Sequence, residues 1–259
     1  MAVYTPITKE KLSSFLENYN IGSLENFTGV LEGVENTNYK IITSQDTFIL
    51  TIFEKRVKEH DLPFFIELQN HLSQKNIKCP SPIPDRNGHY INTIEDKTCV
   101  LMSFLKGKKI NNATFDHCQQ IGELTAKIHL HSKDFTITRK NGLHQKNWGD
   151  IFKKCQNSRD NRFGELYQII EQELLYLNNS WPRNLPMGII HGDIFPDNVF
   201  FIDNNVSGLI DFYFSCNDFY AYELAITTNA WCFDKKESFK KENFDSLLKG
   251  YQQHVNMSN

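Results

Sequence analysis

The residues best suited to chemistry lie in one stretch, His191-Gly192-Asp193-Ile194-Phe195-Pro196-Asp197-Asn198, followed by Asp211-Phe212. Moving a phosphoryl group from ATP to a hydroxyl needs a carboxylate beside the attacking oxygen and oxygen ligands for a metal that bridges the phosphates. Asp193 has the type and place for the first role, Asn198 and Asp211 for the second. Such donors suit Mg2+, which takes few protein ligands and keeps its waters. Between them, Val199 to Leu209 reads as a tight hairpin with Asp203-Asn204-Asn205 as its turn. That hairpin would bring Asn198 and Asp211 together at its open end. Each piece taken singly is ordinary turn chemistry. The combination of His-Gly-Asp, the spaced Asn, two apolar strands and Asp-Phe is much rarer.

Charge agrees with this placement. From His191 to Asp234 there are seven acids (Asp193, Asp197, Asp203, Asp211, Asp218, Glu223 and Asp234) and no Lys or Arg. Acidic runs are usually solvated faces. These acids alternate with Phe, Tyr, Trp and Ile, which points instead to a partly buried cleft that favours a divalent cation and an ammonium-bearing substrate.

Two groups of elements must position these residues. A short helix is expected from Lys9 to Tyr19, then strands within 27–54, with Asn36-Thr37-Asn38 breaking the pattern. A helix follows with Asp61 as N-cap, Pro63 in its first turn and an apolar stripe of Phe64, Phe65, Leu68 and Leu72. Strands around Tyr90-Ile91 and Cys99 to Phe104 complete the first group, and Gly107 marks a boundary. Helical periodicity then dominates, with Ile121, Leu124, Thr125 and Ile128 leading into His129 and another stripe at 163–177. The fold class is therefore α+β in two lobes: an N-terminal antiparallel sheet with one helix (1–105) and a larger, mainly helical lobe (106–259), with the cleft between them.

Composition limits the classes. The 259 residues are 40 % apolar and 23 % charged, with a net charge of −3, so no basic field invites nucleic acid. No run approaches the ~20 apolar residues that span a bilayer, and no signal peptide is evident at the first residues. Six scattered cysteines without a Cys-x-x-Cys pair read as reduced core thiols. The expectation is a cytoplasmic enzyme without a membrane or nucleic-acid partner.

Further strings run through the chain in register: Glu32-Gly33-Val34-Glu35-Asn36-Thr37-Asn38-Tyr39, Asp61-Leu62-Pro63-Phe64-Phe65, Gly208-Leu209-Ile210-Asp211-Phe212-Tyr213-Phe214 and Asn229-Ala230-Trp231-Cys232-Phe233. With the His-Gly-Asp motif, they resemble the homoserine kinases of the aminoglycoside phosphotransferase and choline kinase superfamily, which has a protein-kinase-like fold. The resemblance implies ATP and Mg2+ as cofactors and L-homoserine as substrate. It also implies a loop over the ATP phosphates (Gly33, Asn36, Asn38), a hinge offering backbone groups to adenine (Ser103, Leu105), and Glu223 as a structural acid bracing the catalytic loop. Where related kinases carry a phosphate-binding Lys, this chain has Thr51; strand alternation lets Lys55 reach the cleft instead, with Glu67 as its helix partner. Asp218, Tyr213 and Asn229 are candidate substrate contacts. The carboxylate of homoserine would be received by backbone N–H groups, by Tyr213 or Asn229, or by a base outside 191–234. Choline or another amino alcohol, an aminoglycoside, and a degenerate binding module all remain alternatives.

Near the end, Phe244, Leu247, Leu248, Tyr251 and Val255 form one helical stripe. The resembling kinases continue with further helices. The expectation is thus a truncated chain with an exposed apolar face through which it self-associates.

Overall fold

The computed structural model describes residues 3–31, 36–54, 58–156 and 164–256. Helix α1 (Lys9–Leu16) leads into strands β1 (Leu24–Gly29), β2 (Thr37–Thr43) and β3 (Thr47–Ile52). Helix α2 (Leu62–Gln74) follows, then β4 (Ile91–Ile94) and β5 (Lys97–Ser103). The five strands make one antiparallel sheet in the order β1-β2-β3-β5-β4. Asn36-Thr37-Asn38 does not break the pattern as expected, because Thr37 and Asn38 open β2 and pair with Ile52 and Thr51. Alternation along β2 buries Tyr39 and Ile41 in a cluster with Leu12 and Leu16 of α1.

Helix α2 serves two cores. Leu62 and Ile66 pack with Val100 and Met102 of the sheet, while Phe64, Phe65, Leu68 and Leu72 join the core of the helical part. Each of these large apolar side chains contributes ~1.5–3 kcal/mol on burial, so this helix is the mechanical link between sheet and helices. Asp61 does precede the helix, but its side chain makes no capping bond. Its carboxylate pairs with Arg139 at 3.0 Å, and the Arg139 guanidinium lies 4.8 Å from the centre of the Phe65 ring.

The remaining elements are α3 (Phe115–His131), α4 (Gln145–Gln156), α5 (Gly164–Ser180), β6 (Met187–Ile190), β7 (Val199–Ile202), β8 (Asn205–Leu209), β9 (Cys216–Phe219), α6 (Tyr220–Trp231) and α7 (Lys241–Gln252). Strands β7 and β8 form the expected hairpin, and β6 pairs with β9, a strand the pattern did not reveal. Asp203 and Asn204, at φ 48° and 62°, form its two-residue turn, a left-handed geometry that Asp and Asn tolerate and that matches the strand twist. The stripe at 163–177 does form a helix, but α5 buries none of its residues. No helix among the described residues is long and apolar enough to cross a membrane.

The C-terminal stripe corrects the expectation of an exposed face. Leu247 and Tyr251 are fully enclosed, and Phe244, Leu248 and Val255 pack against the same core. Self-association through that stripe therefore has no open apolar surface to use. The contact partner is α3, and two glycines allow the close approach. A Cβ on Gly122 would lie 1.9 Å from the Leu247 carbonyl oxygen, and one on Gly250 1.9 Å from that of Gln119. Gly250→Ala should therefore lower the unfolding free energy by about 1–3 kcal/mol, the usual cost of overpacking. Denaturant unfolding measures this, and an unchanged midpoint would refute the tight crossing.

Candidate active site

The loop after β6 is organised from behind by a carboxylate. Glu223, in the first turn of α6 and fully buried, accepts the backbone N–H of His191 at 2.5 Å and of Gly192 at 2.8 Å. Burial opposes its ionisation, but the hydrogen bond from His129 and these backbone donors outweigh it and hold its pKa below the usual carboxylate value. This is the bracing role expected of Glu223. The His191 side chain is also spent on structure. Its Nδ1 accepts the Asp193 N–H at 3.2 Å, so its Nε2–H donates to the Ile210 carbonyl at 3.2 Å. Burial pushes its pKa down to about 4, consistent with this neutral tautomer.

Asp193 thus stands at the front of a loop that is pinned at two points. The Asn198 side-chain amide donates to its carboxylate at 2.8 Å and to its backbone carbonyl at 3.0 Å. The hairpin ends meet as expected, with the Ile210 N–H donating to the Asn198 carbonyl at 2.9 Å. Next in the chain is Asp211, at φ 67° and ψ 64°, a left-handed conformation that L-residues seldom adopt. Such backbone strain clusters at functional sites. Burial first, then the negative charge of Asp211, push the Asp193 pKa up to about 6. A carboxylate whose ionisation is made costly by burial and by a second carboxylate marks a site primed for a cation.

The seven acids divide. Asp193 and Asp211 lie at the candidate site and Glu223 stands behind it, while Asp197 is exposed, Asp203 lies in the hairpin turn and Asp234 pairs with Lys240 at 2.8 Å. Asp218 is buried, with one carboxylate oxygen taking the Phe219 N–H and the other the Asn141 amide, both at 2.7 Å. Asn229 is exposed, one α6 turn-pair beyond Tyr222 on the same face. Tyr213, the third candidate substrate contact, packs its ring edge-on against Phe53 and Phe65, each at 5.5 Å.

Thr51 occupies the slot where a Lys was sought, and its hydroxyl donates to the Asn38 side-chain carbonyl at 2.7 Å. That bond ties β2 to β3, and the packing of Tyr213 on Phe53 joins the sheet to the segment after Asp211. Asn36 is buried, and its side-chain oxygen takes the Glu54 N–H at 3.4 Å. At the segment expected to be the hinge, the Ser103 N–H and hydroxyl are both engaged with Ser81, and Leu105 packs near Gly208. Gly33 and Lys55 lie outside the described residues. Sequence reading missed Trp231, whose indole N–H donates to the Ile194 carbonyl at 2.7 Å, and the Arg139–Asp61 tie. It also missed His129 and Tyr251, which stand behind Glu223. A polar residue inside an otherwise apolar helical stripe was the available signal for the last two.

A carboxylate-bearing loop closed by an Asn, a hairpin ending in a strained Asp-Phe, and a five-stranded sheet above them define a kinase-like phosphotransferase. The chain matches the phosphotransferase enzyme family over residues 26–254, and it belongs to that family. It is 45 % identical over 253 residues to a homoserine kinase of Parvibaculum lavamentivorans, covering 98 % of this chain and 79 % of that one. A homoserine kinase of Bartonella tribocorum is 46 % identical over 252 residues, covering 97 % and 79 %. Among solved structures, an amicoumacin kinase crystallised with AMP-PNP, Ca2+ and amicoumacin superposes with a TM-score of 0.77 at 16 % identity, covering 97 % of this chain and 79 % of that one. A spectinomycin phosphotransferase with ADP and spectinomycin gives 0.77 at 15 % identity, covering 98 % and 82 %. These two establish the fold.

The raised Asp193 pKa has a thermodynamic consequence. The folded chain binds this proton more tightly than the unfolded chain, so ionisation above about pH 6 costs stability. Asp193→Asn should raise the unfolding midpoint of the metal-free protein at pH 7.5. The gain should shrink as pH falls from about 6 and vanish below about 4, where the wild-type carboxyl is protonated in both states. A midpoint difference independent of pH would refute the assignment.

Proposed function

We propose that the protein transfers the γ-phosphoryl group of ATP to the side-chain hydroxyl of L-homoserine, giving O-phospho-L-homoserine. The reaction class is supported by the Asn198 amide on the Asp193 carboxylate, in a loop braced by Glu223, with the charge of Asp211, past the hairpin, acting on Asp193. The substrate rests on the curated homoserine kinases that share 41–46 % of its residues across nearly the whole chain.

Mg2+ fits the donors present. Among the described residues no group of three His, Cys, Asp or Glu could hold a metal by protein ligands alone. Mg2+ does not need one, since it typically takes one or two carboxylates and completes its shell with phosphate oxygens and waters. Asp211 would supply the charged ligand. Asn198 spends its NH2 on Asp193, which leaves its amide oxygen as the second ligand. When bound, the ion neutralises charge on the transferred group.

The protein's own part is positioning. Asp193 holds the substrate hydroxyl in line with the γ-phosphorus, and its carboxylate accepts the proton as the new O–P bond forms and the bond to ADP breaks. The Asn198 donor fixes the carboxylate rotamer, so one oxygen faces the hydroxyl in a constant direction. The ATP phosphates would lie under Asn36 and Asn38 and the loop containing Gly33, with adenine at Ser103 to Leu105. Lys55, and not Thr51, is the side chain suited to meet phosphate charge from β3. Asp218 and Asn229 are proposed to face the amino-acid end of the substrate. The acidic surroundings suit the homoserine ammonium group.

A coupled ADP-release assay over homoserine, choline and an aminoglycoside tests the reading. Homoserine should be turned over, with the other two at least about a hundredfold slower in kcat/KM. Turnover of choline or the aminoglycoside in preference would reassign the substrate, and ATP binding without turnover of any of them would leave only a binding module. Asp193→Asn should lower kcat by ~10²–10⁴ while ATP still binds, because the proton acceptor is lost and the shape is kept. Asp211→Ala should abolish turnover and raise the Mg2+ requirement, with Asn198→Ala milder. Near-normal kcat in Asp193→Asn would remove the base from the scheme.

A further inference from the structure

Behind the catalytic loop, a line of buried polar groups continues past Glu223 to the C-terminal helix. The Tyr251 hydroxyl lies 2.9 Å from His129 Nδ1, and His129 Nε2 lies 3.4 Å from Glu223 Oε2. All three residues are at most 2 % exposed. A carboxylate only accepts, so His129 presents Nε2–H to Glu223, and its Nδ1 meets the Tyr251 hydroxyl. The oxygen that receives His129 is the same one that receives the His191 N–H, while Oε1 receives the Gly192 N–H. The line therefore ends on the two amides that shape the loop in front of Asp193.

We propose that His129 and Tyr251 are positioning residues for phosphoryl transfer, holding Glu223 and through it Asp193, so that the seating of α7 on α3 sets the turnover number. This rests on the phosphotransfer reading above.

Several independent features support the assignment. Buried polar groups cost free energy unless paired, and a Leu at 129 with a Phe at 251 would fill the same core more cheaply. The ring of His129 is clamped on two sides, stacked on Tyr220 at 4.2 Å and 24° and edge-on to Tyr251 at 5.6 Å and 74°. It cannot swing away from Glu223 without breaking both contacts. The depth of α7 is in turn fixed by Gly122 and Gly250, where backbone meets backbone without a Cβ between. The helix thus delivers the Tyr251 hydroxyl to one place. Glu223 retains its two backbone donors if this support is lost, so the loop should loosen and not collapse.

Tyr251→Phe deletes one hydroxyl and keeps the ring and the helix packing. A buried neutral hydrogen bond is worth about 1 kcal/mol, so kcat should fall by about fivefold to tenfold, with KM for ATP and homoserine within about twofold of wild type and the unfolding midpoint within about 3 °C. Hydrogen–deuterium exchange at the His191 and Gly192 amides should accelerate by a similar factor. His129→Gln, which can still donate to Glu223, should retain more kcat than His129→Leu. Wild-type kcat and unchanged amide exchange in Tyr251→Phe would overturn the proposal, as would a loss confined to KM. If the wild-type chain fails to phosphorylate homoserine, the functional reading fails by itself. The exchange measurement then still decides this inference, with faster exchange in Tyr251→Phe supporting it and unchanged exchange overturning it.

Discussion

The structure depends most on one buried charge. Glu223 is fully enclosed, and an isolated carboxylate in such a place would be untenable. It is retained because the first two residues of the catalytic loop give it their backbone N–H groups and His129 gives it a third donor. Those residues need it equally, since β6 ends at Ile190 and its ladder no longer supplies acceptors for them. The loop and the carboxylate each remove the other's desolvation cost. Everything in front of them follows: the His191 ring fixed between the Asp193 N–H and the Ile210 carbonyl, the hairpin closed by Asn198, and Asp193 aimed at the space beside Asp211.

The second constraint is how the sheet reaches that loop. Phe64 and Phe65 of α2 insert into the core of the helices while Leu62 and Ile66 stay with the sheet. Tyr213, two residues past Asp211, then packs against Phe53 and Phe65. Thr51 is likewise a structural group. It donates to Asn38, so the slot sought for a phosphate-binding Lys carries a tie between β2 and β3 instead.

Much of this was legible in the residues. The hairpin followed from apolar runs separated by Asp203-Asn204-Asn205, because only residues tolerant of positive φ sit comfortably at that turn. The stripe of α2 followed from helical spacing, and Glu223 followed from family resemblance. Strand β9 was hidden because Cys216-Asn217-Asp218-Phe219 has neither β-branched residues nor clean alternation, and its pairing to β6 is a long-range fact. The partner of the C-terminal stripe was hidden for a similar reason. Periodicity shows that a face needs covering, but Gly122, which lets α3 cover it, lies more than a hundred residues away. The packing of Tyr213 on Phe53 and Phe65 was hidden because an aromatic residue near Asp211 looks the same in sequence whatever it packs against.

The central claim is that the substrate hydroxyl, aligned by Asp193, attacks the γ-phosphorus of ATP. Homoserine labelled with 18O in its side-chain hydroxyl tests this most directly. Incubated with ATP, Mg2+ and the enzyme, it should give a phosphate ester that keeps the label at the bridging position, seen as a shifted 31P resonance. An ester without the label, or release of inorganic phosphate with homoserine left intact, would contradict the account.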